Sequence, residues 1–286
     1  MDWEVQLNGI PIDDDGLGKE VVVNWSFEGF TNNSTFYTDS NGLEMQKRIL
    51  NYREDFKLET VEYASSNYYP IQSALALQAV EGDSMQLTVM NERSQGASVL
   101  ADGDIEFMQN RRLLFYDSGA VSEPLNETDA NGYGMQVNNR YQISLHDYLN
   151  QDSFQRAMQL RIDEPLQLFT VANPVREESG KEFKTVDVPD FDGDLKIHLI
   201  PKGKGHILIR LENVADLFDG TPAEVPMFAL KDYAMSLWNV VNSGATEPTI
   251  EITERSLTDN SLYSEMAHFD WPTAEGPSPA VTYPED

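Results

Sequence analysis

Glu20-Val21-Val22-Val23-Asn24-Trp25-Ser26-Phe27 is the stretch on which the fold turns. From Val21 onward it is short, β-branched and aromatic, with polar residues spaced at twos, as a strand with one buried face requires. Working outward, the same texture recurs in Gln86-Leu87-Thr88-Val89-Met90, Ile105-Glu106-Phe107-Met108, Gln142-Ile143-Ser144-Leu145 and His206-Ile207-Leu208-Ile209-Arg210-Leu211. Between these runs sit Asn8-Gly9, Asp15-Gly16, Asn41-Gly42, Asp102-Gly103, Asn131-Gly132, Asp192-Gly193 and Asp219-Gly220. Such dipeptides accept positive φ and close tight turns. Many short strands punctuated this way predict an all-β chain of stacked antiparallel β-sandwiches rather than an α/β fold. A single helix is expected, from His146 to about Ile162, where Tyr148, Leu149, Phe154, Met158 and Ile162 fall near helical spacing ahead of Pro165. A weaker helical turn is expected over 261–268.

The 286 residues carry 20 Lys+Arg against 48 Asp+Glu, a net charge of −28, with no cysteine. Nucleic acid and anionic membranes are therefore excluded as partners, since both require a basic surface. Disulfides, cysteine-ligated metals and thiol nucleophiles are excluded outright. At 40% hydrophobic and 10% aromatic the chain can bury a substantial core. No apolar run approaches the roughly 18 residues of a membrane span, and Met1-Asp2-Trp3-Glu4 does not read as a signal peptide. The polar stretch 173–194 reads as a connection between a large β-sandwich domain, 1–172, and a small C-terminal β-domain, 195–271. Residues 272–286, rich in proline and small residues, read as a disordered tail.

Chemistry is hard to find in the short motifs. Asp13-Asp14-Asp15 and Asp190-Phe191-Asp192-Gly193-Asp194 are the tightest carboxylate clusters, but the latter has glycine at the fourth position of a calcium loop where the sixth is needed. The latter reads as a solvated turn. His146, His198, His206 and His268 form no short ligand pair, and His198 and His206 are expected to flank a hairpin turn at Pro201-Lys202-Gly203-Lys204-Gly205. Neither a dinucleotide fingerprint nor a G-x-S-x-G nucleophile elbow is present. Asn24, Asn32, Asn33 and Asn126 head N-x-S/T sequons and are the candidate N-glycosylation sites.

Longer strings are more specific. Gly9-Ile10-Pro11-Ile12-Asp13-Asp14-Asp15-Gly16-Leu17-Gly18-Lys19-Glu20-Val21, Phe36-Tyr37-Thr38-Asp39-Ser40-Asn41-Gly42, Arg48-Ile49-Leu50-Asn51-Tyr52-Arg53, Asn67-Tyr68-Tyr69-Pro70 and Arg93-Ser94-Gln95-Gly96 follow one another, then Arg111-Arg112-Leu113-Leu114, Glu123-Pro124-Leu125-Asn126-Glu127 and Leu208-Ile209-Arg210-Leu211-Glu212-Asn213. Taken in order, from about Trp3 to Trp271, they resemble the C-terminal β-region of family 38 α-mannosidases, the lysosomal type most closely. The chain departs from the family at Asp117-Ser118-Gly119-Ala120, where a second acidic residue and an Arg-Gly are favoured.

The resemblance implies a large sandwich of the galactose-mutarotase-like, mannosidase C-terminal kind, a smaller sandwich after it, and one short helix. It implies a retaining, zinc-dependent enzyme hydrolysing terminal α-mannose of N-glycans in a lysosome or vacuole, or secreted. The zinc and the aspartate nucleophile belong, in that family, to an N-terminal α/β barrel followed by a helical bundle, so no cofactor is expected on this chain. Its expected partners are that barrel and helical domain and, through them, mannosylated glycans. The implied contribution is support of the substrate cleft from Arg111 or Arg112. Adjacent residues on a strand point to opposite faces, so one can pair inside while the other faces a cleft; which is which stays open, as does the simpler reading of a strand arginine paired with Asp117 or Glu106. The alternative is a stand-alone carbohydrate-binding or scaffold module of mannosidase-derived fold.

Overall fold

The computed structural model describes residues 1–11, 16–39, 42, 44–80, 84–116, 123–148, 152–165, 195–213, 230–241 and 248–267. The described residues fall into two compact units, one holding those up to Pro165 and the other those from Leu195 onward. The stretches 173–194 and 272–286, read from sequence as a connection and a tail, lie outside them, as do the aspartate clusters at 13–15 and 190–194.

The first unit is a sandwich of two antiparallel sheets. The larger is built from β1 (Asp2–Leu7), β3 (Thr35–Asp39), β4 (Met45–Ile49), β6 (Ala74–Gln78), β7 (Met85–Asn91) and β10 (Val137–Asp147), in the order β1-β10-β7-β6-β3-β4. The smaller takes β2 (Lys19–Ser26), β5 (Tyr69–Ile71), β8 (Gln95–Ala101) and β9 (Asp104–Arg112), in the order β2-β9-β8-β5. Alternation places Trp25, Tyr69, Val99, Ile105 and Phe107 of the small sheet against Phe36, Leu75, Leu77, Val89 and Tyr141 of the large one. Each such side chain contributes about 1.5–3 kcal/mol on burial. Trp25 is the hub: its ring meets Tyr141, Phe107 and Trp3 edge-on at centroid distances of 4.9, 6.0 and 6.4 Å. The Val-rich stretch around Val21, Val22 and Val23 is thus β2, whose Trp25 enters the core while Asn24 stays exposed.

Turn chemistry explains the joints. Gly103, between β8 and β9, has φ +73°, and a Cβ there would lie 2.7 and 2.8 Å from the carbonyl oxygens of Phe27 and Phe30. Only glycine fits. Asp39, at the end of β3, is buried, and its carboxylate accepts from the Ser73 and Ala74 amides at 3.0 and 2.8 Å and from the Ser73 hydroxyl, fixing the entry to β6.

The helix expected from His146 begins later. β10 runs through Asp147, with His146 paired to Gln86 of β7, and α1 spans Asp152–Asp163. Ladder pairing with β7 claims the residues that helical spacing would have recruited. α1 lies over the outer face of the large sheet, where β7 presents Gln86, Thr88 and Met90; all are buried. Because that face is partly polar, the helix docks on it with amides: Gln86 Nε2 donates to Gln155 Oε1 at 2.8 Å, Gln159 is buried, and the Phe154 ring sits 5.1 Å from the His146 ring.

In the second unit, β11 (Leu195–Gly203) and β12 (His206–Asn213) form an antiparallel hairpin, with His198 and His206 on its two strands and Gly203, Lys204 and Gly205 all at positive φ in its turn. Lys202 Nζ lies 3.0 Å from Asp259 Oδ2, tying the hairpin to the 255–262 loop. A second helix, α2 (Leu230–Val241), corrects the expectation of one. Leu230, Tyr233, Leu237 and Trp238 fall at i, i+3, i+7 and i+8, and Tyr233 is buried. The weaker turn expected over 261–268 is a single 3₁₀ turn, Tyr263–Glu265.

Candidate functional site

β9 is the element that positions the site. Its buried residues run Ile105, Phe107, Gln109 and then Arg112, an interval of three in place of two. The break is a β-bulge: Val21 and Val22 of β2 face Asn110 and Met108, so Gln109 has no residue opposite. Gln109 is held inside, donating from Nε2 to the Tyr141 hydroxyl at 2.5 Å and accepting at Oε1 from Asn139 Nδ2 at 2.9 Å.

Beyond the bulge the two arginines part. Arg112 is 8% exposed and donates from Nη1 to the Ile10 carbonyl at 2.8 Å and from Nη2 to the Asn126 carbonyl at 3.2 Å. The guanidinium therefore ties together three segments distant in sequence. Room for it depends on Gly134, where a Cβ would come within 2.7 Å of Nη1. Arg111 faces the other way, its side chain 46% exposed and 3.7 Å from Glu20 Oε1, the residue directly across the β2–β9 ladder. The strand-arginine pairing expected from sequence thus falls on Glu20. Glu106 instead accepts from the Tyr68 hydroxyl, and Asp117 lies outside the described residues. An exposed pair of this kind is worth under about 1 kcal/mol, so Arg111 is held in place only lightly.

Around the end of β9 the surface is apolar. Leu113 N donates to Leu125 O at 3.0 Å. Phe115 and Tyr133 are 78% and 71% exposed, and Tyr116, Leu125 and Met135 are exposed as well. Aromatic side chains left in water near the end of β9 are the makings of an interaction surface.

The sequons separate by environment. Asn32 is 1% exposed, donates from Nδ2 to Thr35 O at 2.9 Å and accepts at Oδ1 from Gly103 N at 2.9 Å, so its amide is committed to the fold. Its neighbour Asn33 is exposed, as are Asn24 and Asn126. Among the described residues no three His, Cys, Asp or Glu side chains are grouped to hold a metal. The residues that sequence reading missed are Glu20, Gly134 and the Tyr68–Glu106 pair. Antiparallel register was the signal for Glu20, and it becomes legible only once β2 and β9 are known to be neighbours.

The class of this two-sheet sandwich is given by residues 1–119, which match the model described as the glycosyl hydrolases family 38 C-terminal domain. The chain is a C-terminal β-region of that family. It is similar to the protein named lysosomal alpha-mannosidase of Dictyostelium discoideum, 30% identical over 277 residues that make up 93% of this chain and 26% of the relative. It is likewise 30% identical to the lysosomal alpha-mannosidase of Bos taurus, over 98% of this chain and 27% of that protein, and to the alpha-mannosidase of Canavalia ensiformis, over 94% and 27%. The chain spans about a quarter of the length of the curated relatives it matches.

Proposed function

We propose that this chain is the non-catalytic C-terminal β-sandwich portion of a retaining, zinc-dependent α-mannosidase that hydrolyses terminal α-mannose from N-glycans in a lysosome or vacuole. The observation that carries the reading is the parting of Arg111 and Arg112, in a chain whose relatives bear the alpha-mannosidase name. Arg112 builds the rim by joining β9 to the Ile10 and Asn126 segments. Arg111, set on that rim and tethered only by Glu20, offers its guanidinium to a substrate cleft supplied by the barrel domain. The exposed Phe115, Tyr116 and Tyr133 pack on that domain. The metal and the nucleophile belong to the barrel; what this chain's residues supply is shape, one cation and the exclusion of water.

Co-expression with the barrel polypeptide of a relative tests the reading. The two should co-purify and hydrolyse an aryl α-mannoside, whereas the pure 286-residue chain should show no turnover. Chelator-sensitive hydrolysis by the chain alone would overturn it.

A further inference from the structure

Two edge strands of the sandwich, β4 of the large sheet and β5 of the small one, meet at a pair of arginines. Arg48 of β4 stands across the ladder from Phe36 and so shares its core-facing side. Its Nε donates to Thr38 Oγ1 at 3.0 Å, and its guanidinium carbon lies 4.5 Å from the centre of the Tyr69 ring of β5. β4 then ends in a tight turn through Asn51, at φ 58°, with Tyr52 N donating back to Ile49 O at 3.2 Å. The turn returns Arg53 to the same ring, again at 4.5 Å from its centre. There Nη2 donates to Ser66 O at 2.7 Å and Nη1 to Tyr52 O at 3.0 Å, which fixes the side chain. The two guanidinium carbons are therefore no farther apart than twice their distance from the ring centre.

Neither arginine has a carboxylate. Among the described residues no Asp or Glu lies within ion-pair distance of Arg48 or Arg53, in a chain that carries 48 of them. Both Nη groups of Arg48 are without an acceptor among the described residues, and Arg53 keeps its Nε–H and one N–H on each Nη. Burial lowers the Arg48 pKa; Tyr69 opposes the shift and Arg53 adds to it, so the two cations feel one another. Both stay charged, as guanidinium does in proteins. One inward-pointing cation is enough to guard an edge strand against stray pairing. A second beside it adds repulsion, which an anion between the two would relieve. A planar carboxylate fills one guanidinium fork, whereas two forks on separate segments call for oxygens in more than one plane. A tetrahedral oxyanion meets that demand, and a dianion gains most from two cations set in a chain of net charge −28. We propose that Arg48 and Arg53 hold a phosphate or sulfate group between them at this edge of the sandwich, as the free ion or as an ester.

Titration of the full chain near neutral pH with phosphate, sulfate, glycerol 3-phosphate and acetate, each against chloride at matched ionic strength, tests the proposal. The Nε–H resonances of Arg48 and Arg53 are the readout. Saturable shifts of both are expected with phosphate or sulfate, with acetate at least about tenfold weaker. Glycerol 3-phosphate separates the sources: binding as tight as phosphate assigns the site to an ester, and binding about tenfold weaker assigns it to the free ion; either supports the site. R48K and R53K keep the charge and lose the fork, and each should weaken phosphate binding about tenfold. R53K alters a loop side chain and leaves β4 and β5 intact, which keeps the test meaningful if R48K folds poorly. Shifts that follow ionic strength alone, absence of saturation by both phosphate and sulfate up to about 100 mM, acetate binding as tightly as phosphate, or full phosphate binding by R53K would each overturn the proposal. None of these outcomes bears on the role of Arg111, which is read out in the assembled enzyme.

Discussion

Arg111 and Arg112 are neighbours in the chain and strangers in the structure: one guanidinium lies 3.7 Å from Glu20 in water, the other is buried and donates to the carbonyls of Ile10 and Asn126. The contrast predicts opposite tolerance. R112A leaves two carbonyls without their donor, and charge-assisted bonds are worth about 1.5–3 kcal/mol each. Destabilisation of about 3 kcal/mol is expected, or a fall of about 6–12 °C in melting temperature. R112K should recover little of it, because one ammonium cannot reach both oxygens in a fork geometry. R111A should stay within about 0.5 kcal/mol of the parent. Thermal melts of the three variants check the ranking, and a stable R112A would show that Arg112 does not clamp the rim.

Asp39 and Ser73 give a second structural test. The carboxylate takes the Ser73 and Ala74 amides and the Ser73 hydroxyl within the protein interior. D39N places an NH₂ where one oxygen accepted, setting donor against donor. A loss of about 2–3 kcal/mol is expected, measured by urea unfolding with an unchanged m-value.

The sheets were legible in the sequence because period-two burial is a local signal: Val21 to Ser26 already shows which side chains go inside. The limits of α1 were not. Helical spacing and a β10 continuation compete for residues 146–148, and only pairing of His146 with Gln86 decides between them. α2 carried its own signal in Leu230, Tyr233, Leu237 and Trp238, and was obscured by the β-rich texture around it. At the site, the opposite orientation of the two arginines followed from strand geometry alone. Which one turns inward did not, because the bulge at Gln109 resets the alternation and a bulge leaves no mark in local composition.

His146 makes pH a probe of helix docking. It is buried under α1 with Nδ1 lacking a partner, and desolvation lowers its pKa while Asp147 pulls the other way. A histidine whose folded pKa lies below the unfolded value near 6.5 binds its proton more readily when unfolded. Stability from this group is therefore full above pH 6.5 and falls as pH drops towards the folded pKa. Asp129 and Asp259, with lowered values, lose their contribution only below their unfolded range near 4. Relief of the −28 net charge acts in the opposite sense as carboxylates take up protons. H146Q should thus gain on the parent between pH 7.5 and 5.0, as followed by thermal melts. A constant difference across that interval would remove His146 from the pH response.

Sequon use should follow side-chain access. In the overlapping pair, Asn32 spends its amide on Thr35 and Gly103 while Asn33 stands exposed. Expressed through a secretory pathway, the chain should carry glycan at Asn33 and none at Asn32, with Asn24 and Asn126 open to modification. Peptide mapping after enzymatic deglycosylation in heavy-oxygen water assigns the sites. N33Q should clear that loop of glycan without changing stability, whereas N32A should cost about 1–3 kcal/mol by leaving the Gly103 amide and the Thr35 carbonyl unmet. Glycan on Asn32 would mean that modification precedes the closing of the β8–β9 turn.

The role assigned to Arg111 has its own signature in the assembled enzyme. Glu20 is a positioning residue: it touches Arg111 across the ladder and nothing else in the reaction. On the role proposed for Arg111, R111A should raise KM or lower kcat/KM by roughly ten- to a hundredfold, equivalent to about 1.4–2.7 kcal/mol, on a chain that melts like the parent. R111K keeps the charge and loses the fork, and should fall between them. E20Q should have a smaller effect, and one that differs in kind: the arginine remains but samples more rotamers, so the loss appears in KM and shrinks as salt screens what is left of the pairing. If R111A and parent enzymes show equal kcat/KM on an N-glycan substrate while co-purifying equally with the barrel, Arg111 is a surface cation with no part in the cleft.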